Sequence, residues 1–353
     1  MNEDVRRVER VSFPGISSRA YEHPVDRGAL ATLRTVPGFA QVLKALFGFF
    51  TERGLRLSAL SSTIRVGPEQ YPELDRLRNE CAATLDLPTV PTVYVMRDPN
   101  PNAYTIGLEE PFIVLTTGLV EMADAEGLRF AIGHEMGHVL SGHAVYRTMM
   151  IHLVELQRSL SWNPISGIGL RAVLAALHEW FRKAELSCDR AGLLCGQNPA
   201  AALRLHIQLA GGIDPDTIDI PSFLRQAEEY EGVDDLRDSL LKLRSLESMA
   251  HPLAVVRAAE LQKWAGSDEY RAMLAGEYPR RDDDEPHSAW RDDIKAAARS
   301  YQTSWSESAD PLTKVFADVG TAVTDVAGKV RDKFSNRGSA SESQSAASGE
   351  PTD

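Results

Sequence analysis

Five consecutive residues carry the sharpest chemical signal in this chain: His134-Glu135-Met136-Gly137-His138. Two histidines four apart on a helix project from one face, a turn apart, so both rings can reach a single cation. Glu135 sits about 100° round from His134, near enough to address a water on that cation without ligating it. The chemistry this allows is metal-assisted hydrolysis. A cation polarises a carbonyl and acidifies a water, and the carboxylate takes the water's proton. The competing reading, two histidines on an ordinary helix, is disfavoured by the setting. Leu128, Ile132, Val139 and Leu140 make this a buried element, where unpaired imidazoles are costly.

Zinc at a hydrolytic site takes three protein ligands and keeps a fourth position open. A third histidine six residues beyond His138 would fall at Ala144, and an accompanying glycine at Ser141, so that arrangement fails. His143 and Gly142 are each one place off, and His143 reads as a helix-end histidine. His178-Glu179 starts a similar pattern, but Arg182 stands where its second histidine would be. Glu185 and Asp189 are the better candidates, four apart on an expected helix from about residue 172 to 195. Glu185 can complete the ligand set, and Asp189 can accept the N–H of a liganding imidazole and fix its tautomer. Arg257 can brace either carboxylate through a bidentate pair, or be a surface arginine. Cys188, between them, is a small core residue on the bland reading and a redox switch on the other.

These residues need elements to hold them. Asp124 is placed to cap the helix carrying the histidines, and Gly133 and Gly137 each cost helix propensity, about 1 kcal/mol relative to Ala. That cost makes sense where another element packs closely. Upstream, Thr92–Met96, Ala103–Ile106 and Phe112–Thr116 read as three short strands joined by tight turns, a small, largely antiparallel sheet. From Leu119 to about Glu277 the pattern is helical. The expected organisation is a helical N-terminal segment, 1–70, packing on a catalytic domain, 71–279. A charged linker, 280–309, then leads to an amphipathic helix, 310–334, and a disordered Ser/Ala/Gly-rich tail, 335–353. The 310–334 helix carries an apolar stripe from Leu312 to Phe334 with balanced charges, which suits docking on the body or on a protein partner better than on a membrane surface.

Four motifs in order, Asn102-Ala103 with Gly107, the His134–His138 pentad, Glu185 with Asp189, and His251-Pro252 with Arg257, resemble the HtpX and CAAX-prenyl-protease type of zinc metallopeptidase, a gluzincin family. The resemblance implies His134, His138 and Glu185 as zinc ligands, Glu135 as catalytic base and Asp189 as the residue orienting a ligand. It also implies an edge strand near Asn102 that holds substrate extended, and an electrophilic or switching role for His251. Many relatives carry transmembrane helices beside the site. The apolar stretches here, 39–50 and 167–181, are too short and too interrupted to span a bilayer, so membrane-protein and prenyl-peptide substrates are not carried over. Independently of the family, the oxyanion of the reaction needs a donor, which His251 or Tyr104 can supply. The free edge of the sheet, at Asn102, Ala103 and Tyr104, suits peptide binding by strand addition.

Composition sets the outer limits. The chain has 353 residues, 43% hydrophobic and 25% charged, with 38 Lys plus Arg against 50 Asp plus Glu, a formal charge of −12. An acidic balance argues against nucleic acid as the main partner. Three cysteines cannot make a disulfide framework, and the charged N-terminus has no apolar run after it, so a soluble, cytoplasmic protein is expected. The reading is an α+β, mainly helical, zincin-like domain with a small, mostly antiparallel sheet beside the active-site helix. It binds one Zn2+ and hydrolyses peptide bonds of peptides or unfolded proteins. The alternatives are zinc-dependent hydrolysis of a non-peptide amide, or a zinc-stabilised, chaperone-like binding protein.

Overall fold

A computed structural model describes residues 10–27, 52–107, 109–159, 164–211, 214–231 and 254–284. His251, the expected 310–334 helix and the 335–353 tail lie outside the described residues.

Helix α1 (Glu52–Ser62) leads into β1 (Ile64–Arg65), and α2 (Pro72–Thr84) precedes β2 (Thr92–Met96), β3 (Ala103–Ile106) and β4 (Phe112–Thr116). The four strands form one sheet in the order β1-β2-β4-β3. β1–β2 and β3–β4 are antiparallel, whereas β2–β4 is parallel. The sheet is therefore mixed, because the chain leaving β2 passes the position of β4, makes the edge strand β3, and then turns back between the two. The turn between β2 and β3 is pinned to the end of β4. Gly118 N and the Thr117 hydroxyl both donate to Asp98 O, at 2.9 and 3.0 Å. A side chain on Gly118 would meet Pro99 O at 2.2 Å, so glycine is needed there.

The rest is helical: α3 (Thr117–Met122), α4 (Ala125–Leu140), α5 (His143–Ser159), α6 (Pro164–Gly196), α7 (Pro199–Leu209), α8 (Ile220–Glu231), α9 (Ala254–Ala265) and α10 (Asp268–Leu274). Asp124 caps α4 as its position predicts, accepting from Gly127 N at 2.7 Å. Val93, Val95, Ile113 and Leu115 on one face of the sheet share the main core with Ile132 and Met136 of α4 and Leu193, Leu194 and Cys195 of α6. The other face, with Tyr94, Ile106, Phe112 and Val114, forms a smaller cluster under α1.

Residues 10–27 cross this body mostly as irregular chain, with a 3-10 turn at Ser18–Ala20 and a helical turn at 24–27. Phe13, Ile16 and Tyr21 are fully buried in the core. Residues 280–284, at the head of the expected linker, are docked on that segment. Ile16 bridges Arg280, Arg281 N donates to Gly15 O at 2.8 Å, and Ser17 donates to Asp284 at 2.7 Å.

Candidate active site

The long helix α6 and the shorter α4 pack with almost no side chain between them. A Cβ on Gly133 would lie 2.6 Å from Cys195 Cβ, and one on Gly137 would lie 2.7 Å from Ala191 Cβ. This closeness sets His134 and His138 of α4 against Glu185 and Asp189 of α6.

His134 Nε2 and His138 Nε2 are 3.2 Å apart, His134 Nε2 is 3.4 Å from Glu185 Oε2, and His138 Nε2 is 3.3 Å from Glu185 Oε1. Tetrahedral bonds of about 2.0–2.2 Å to zinc place ligand atoms roughly 3.3–3.6 Å apart, so the donor spacing fits such an ion. Three lone-pair donors converging out of water need a positive charge between them. Glu135 follows on the same helix, its Oε1 4.0 Å from His134 Nε2. His134, Glu135, His138 and Glu185 expose only 6, 2, 1 and 9% of their surface, so electrostatic interactions here are weakly screened.

Behind the donors lies a buried charge network. His134 Nδ1 meets Asp189 Oδ1 at 2.9 Å, the geometry that turns its Nε2 lone pair toward Glu185. Arg257 donates to Asp189 from Nε at 2.8 Å and Nη2 at 2.6 Å, and its Nη1 lies 2.8 Å from Glu185 Oε2. Burial pushes both carboxyls up, but the Arg257 charge, joined by His206 at Asp189 and His134 at Glu185, holds them well below the usual range. Burial alone would lower His134; the Glu185 charge and the Asp189 hydrogen bond raise it to about 9. In His138 burial prevails and the value falls. The ring of His138 is fixed by packing, stacked on Phe181 at 5.2 Å and edge-on to His143 at 5.4 Å. Its Nδ1 meets no hydrogen-bond partner among the described residues.

A second group, His138, His143 and Cys188, also has metal-ligand spacing. It is sealed in the core, with exposures of 1, 1 and 0%, and burial pushes the Cys188 thiol well up. It offers no room for a reacting carbonyl, and His143 Nε2 already faces Asp26 at 3.5 Å. The His134–His138–Glu185 group, with the Glu135 carboxylate beside it, has the donor set suited to hydrolysis.

The profile of Peptidase family M48 matches residues 68–265, a span that holds all of these side chains except those contributed by residues 10–27. The chain belongs to peptidase family M48. It is a metallopeptidase, hence a hydrolase. It is 32% identical over 277 residues to the Plastoglobule-localized metallopeptidase 48, chloroplastic, of Arabidopsis thaliana, covering 76% of this chain and 79% of that one. It is 28% identical over 187 residues to a Protease HtpX homolog of Tropheryma whipplei, covering 45% and 64% of the two chains. The likeness to the human Metalloendopeptidase OMA1, mitochondrial, is 29% over 126 residues, 32% of this chain and 24% of that one. No solved structure matches. Among the described residues no helix is long and apolar enough to cross a membrane.

Within this M48 domain the remaining sequence-selected residues separate. Arg257 is buried and paired with Asp189 and Glu185 rather than lying on the surface. Asn102 and Ala103 lie at the start of the edge strand β3. Tyr104 belongs to the opposite face from α4. Its cross-strand partner is Val114, its hydroxyl reaches Met96 Sδ at 3.6 Å, and it packs on the smaller cluster. Strand alternation therefore turns Thr105, not Tyr104, toward Glu135, with Thr105 Oγ1 2.7 Å from Glu135 Oε2. The period-2 signal was present in the sequence, but its phase is set by the β3–β4 register. Four further contacts had no sequence signal. His206 Nε2 lies 3.4 Å from Asp189, the Tyr21 hydroxyl 3.3 Å from Gly137 O, and Asp26 accepts from Trp180 and Ser187.

Proposed function

We propose that this M48 peptidase is a zinc-dependent endopeptidase in which His134, His138 and Glu185 hold one Zn2+ and Glu135 is the general base. The reading rests above all on the 3.2–3.4 Å triangle of donor atoms. Asp189 orients His134, and Arg257 offsets the charge of Asp189 and Glu185. When bound, zinc supplies Lewis acidity and a water whose pKa falls toward about 7.

The polypeptide does the rest. Asn102 O accepts from Thr116 N at 3.0 Å, so residues 102, 104 and 106 turn their main-chain groups to β4. Ala103 and Thr105 turn theirs away from β4; Ala103 is half-buried, Thr105 is wholly buried, and Gly107 N, next in that phase, is taken by the Thr148 hydroxyl at 2.9 Å. Peptide lies extended along this outer edge, starting at Asn102, Ala103 and Tyr104, and its scissile carbonyl is presented to Glu135 and the donor triangle. Glu135 takes the proton of the attacking water and returns it to the leaving amine. His251, on the family resemblance, stabilises the oxyanion. The Tyr104 hydroxyl is left out of that role because it faces the other side of the sheet.

The catalytic unit on this proposal is 71–279, steadied by residues 10–27. The substrates are peptides or unfolded proteins. The compartment is the cytoplasm, in keeping with three buried, unpaired cysteines. The test is cleavage of casein and a quenched peptide, blocked by 1,10-phenanthroline. Glu135→Gln should lower turnover by roughly 10²-fold or more while metal stays bound; unchanged turnover refutes the assignment.

A further inference from the structure

We infer that Thr105 is the positioning residue of the catalytic glutamate, joining the substrate-binding strand to the base. This rests on Glu135 being that base. Thr105 has no solvent exposure, and its hydroxyl lies 2.7 Å from Glu135 Oε2 and 3.1 Å from the Glu135 carbonyl. A hydroxyl has one proton, and the shorter, charge-assisted contact is the carboxylate. The hydrogen bond fixes Oε2, so rotation about the last side-chain bond is stopped with Oε1 on the side of His134 Nε2, 4.0 Å away.

The main-chain N–H and C=O of Thr105 point away from β4, but the residue is wholly buried, and the accessible part of the strand is at 102–104. A peptide on the accessible start of this strand, at Asn102–Tyr104, lies directly before the residue that aims the base. The carboxylate keeps Oε1 for the water's proton while Oε2 continues to accept from Thr105, so proton pick-up and delivery at Oε1 need no rearrangement. A base held in one rotamer is a preorganisation effect. It acts on the chemical step and not on peptide binding, because the Thr105 hydroxyl touches the base and not the substrate.

The experiment compares wild type, Thr105→Val, Thr105→Ser and Glu135→Gln as full chains loaded with zinc, reading kcat, KM, zinc content and Tm with a quenched peptide. Valine keeps the shape and removes the donor. Thr105→Val should lose about 10- to 100-fold in kcat, with KM and zinc content near wild type and Tm lowered by only a few degrees, and Thr105→Ser should recover most of the loss. A Thr105→Val enzyme with wild-type kcat overturns the inference, as does a loss that serine does not rescue. A loss that tracks zinc content or Tm means a merely structural role and also overturns it. Failure of the underlying reading is told apart by Glu135→Gln, which then turns over like wild type whatever Thr105 does.

Discussion

Arg257 and Asp189 meet in a buried two-pronged pair, Nε to Oδ2 at 2.8 Å and Nη2 to Oδ1 at 2.6 Å, and Arg257 spends its last nitrogen on Glu185. One guanidinium thus faces two carboxylates, one behind His134 and the other beside both histidines. The planar fork suits arginine to this place, since a lysine ammonium, with all its donors on one nitrogen, does not make the two parallel bonds to Asp189 while a separate nitrogen reaches Glu185.

Arg257→Ala should therefore leave two buried carboxylates uncompensated. The expected cost is about 3–5 kcal/mol of stability, together with a 10- to 100-fold loss in metal affinity through the disturbed support of His134. Urea unfolding and zinc competition with a chromophoric chelator check both. Wild-type values in both would mean that the pair is idle.

The close passage of α4 and α6 makes its own prediction. Gly133→Ala puts a methyl 2.6 Å from Cys195 Cβ and 2.8 Å from its sulfur. Alanine is the better helix former, so an isolated helix would gain about 1 kcal/mol, yet here overpacking should cost about 1–3 kcal/mol. Cys195→Gly in the same chain should relieve part of it. Denaturant midpoints of the two single variants and the double variant decide, and a stabilised Gly133→Ala would show that the helices are further apart than described.

Asp26 gives a pH signature outside the His134–His138–Glu185 triangle. Burial raises its carboxyl to about 7, against the hydrogen bonds from Ser187 and Trp180, with Glu22 adding to the rise and Arg27 opposing it; the His143 ring also faces it, 3.5 Å away. A carboxyl that binds its proton more tightly when folded favours the fold at low pH. That contribution is whole below about pH 4, the unfolded value, and is lost as pH rises to about 7. The difference in stability between Asp26→Asn and wild type should therefore move in favour of Asn between pH 4 and 8, by on the order of 4 kcal/mol. Paired urea melts across that range measure it, and parallel pH curves for the two proteins would contradict the shift.

The sequence made the active-site helix legible because its signals are local: the histidine spacing, the Asp124 cap, and two glycines that a helix tolerates only for close packing. Glu185 and Asp189 were readable for the same reason, four residues apart on one face. Arg257 lies far along the chain, and only the fold shows that its fork reaches both carboxylates. The sheet was less legible. Strand positions follow from β-rich runs, but the parallel β2–β4 pairing depends on where the chain passes after Met96, and no residue type records that. The same non-local register decided that Thr105 and not Tyr104 faces Glu135. Asp26 and Tyr21 come from a segment whose path is set by the body it crosses, so their contacts with α4 and α6 had no periodic signal.

The most direct test of the central claim is X-ray absorption at the zinc edge on protein loaded with one equivalent of zinc, with His134→Ala as control. The account predicts tight 1:1 binding and a shell of nitrogen and oxygen alone at about 2.0–2.1 Å, two of them imidazole, with occupancy lost in the variant. Absence of bound zinc, or a sulfur at about 2.3 Å from Cys188, would place the ion elsewhere or nowhere and contradict it.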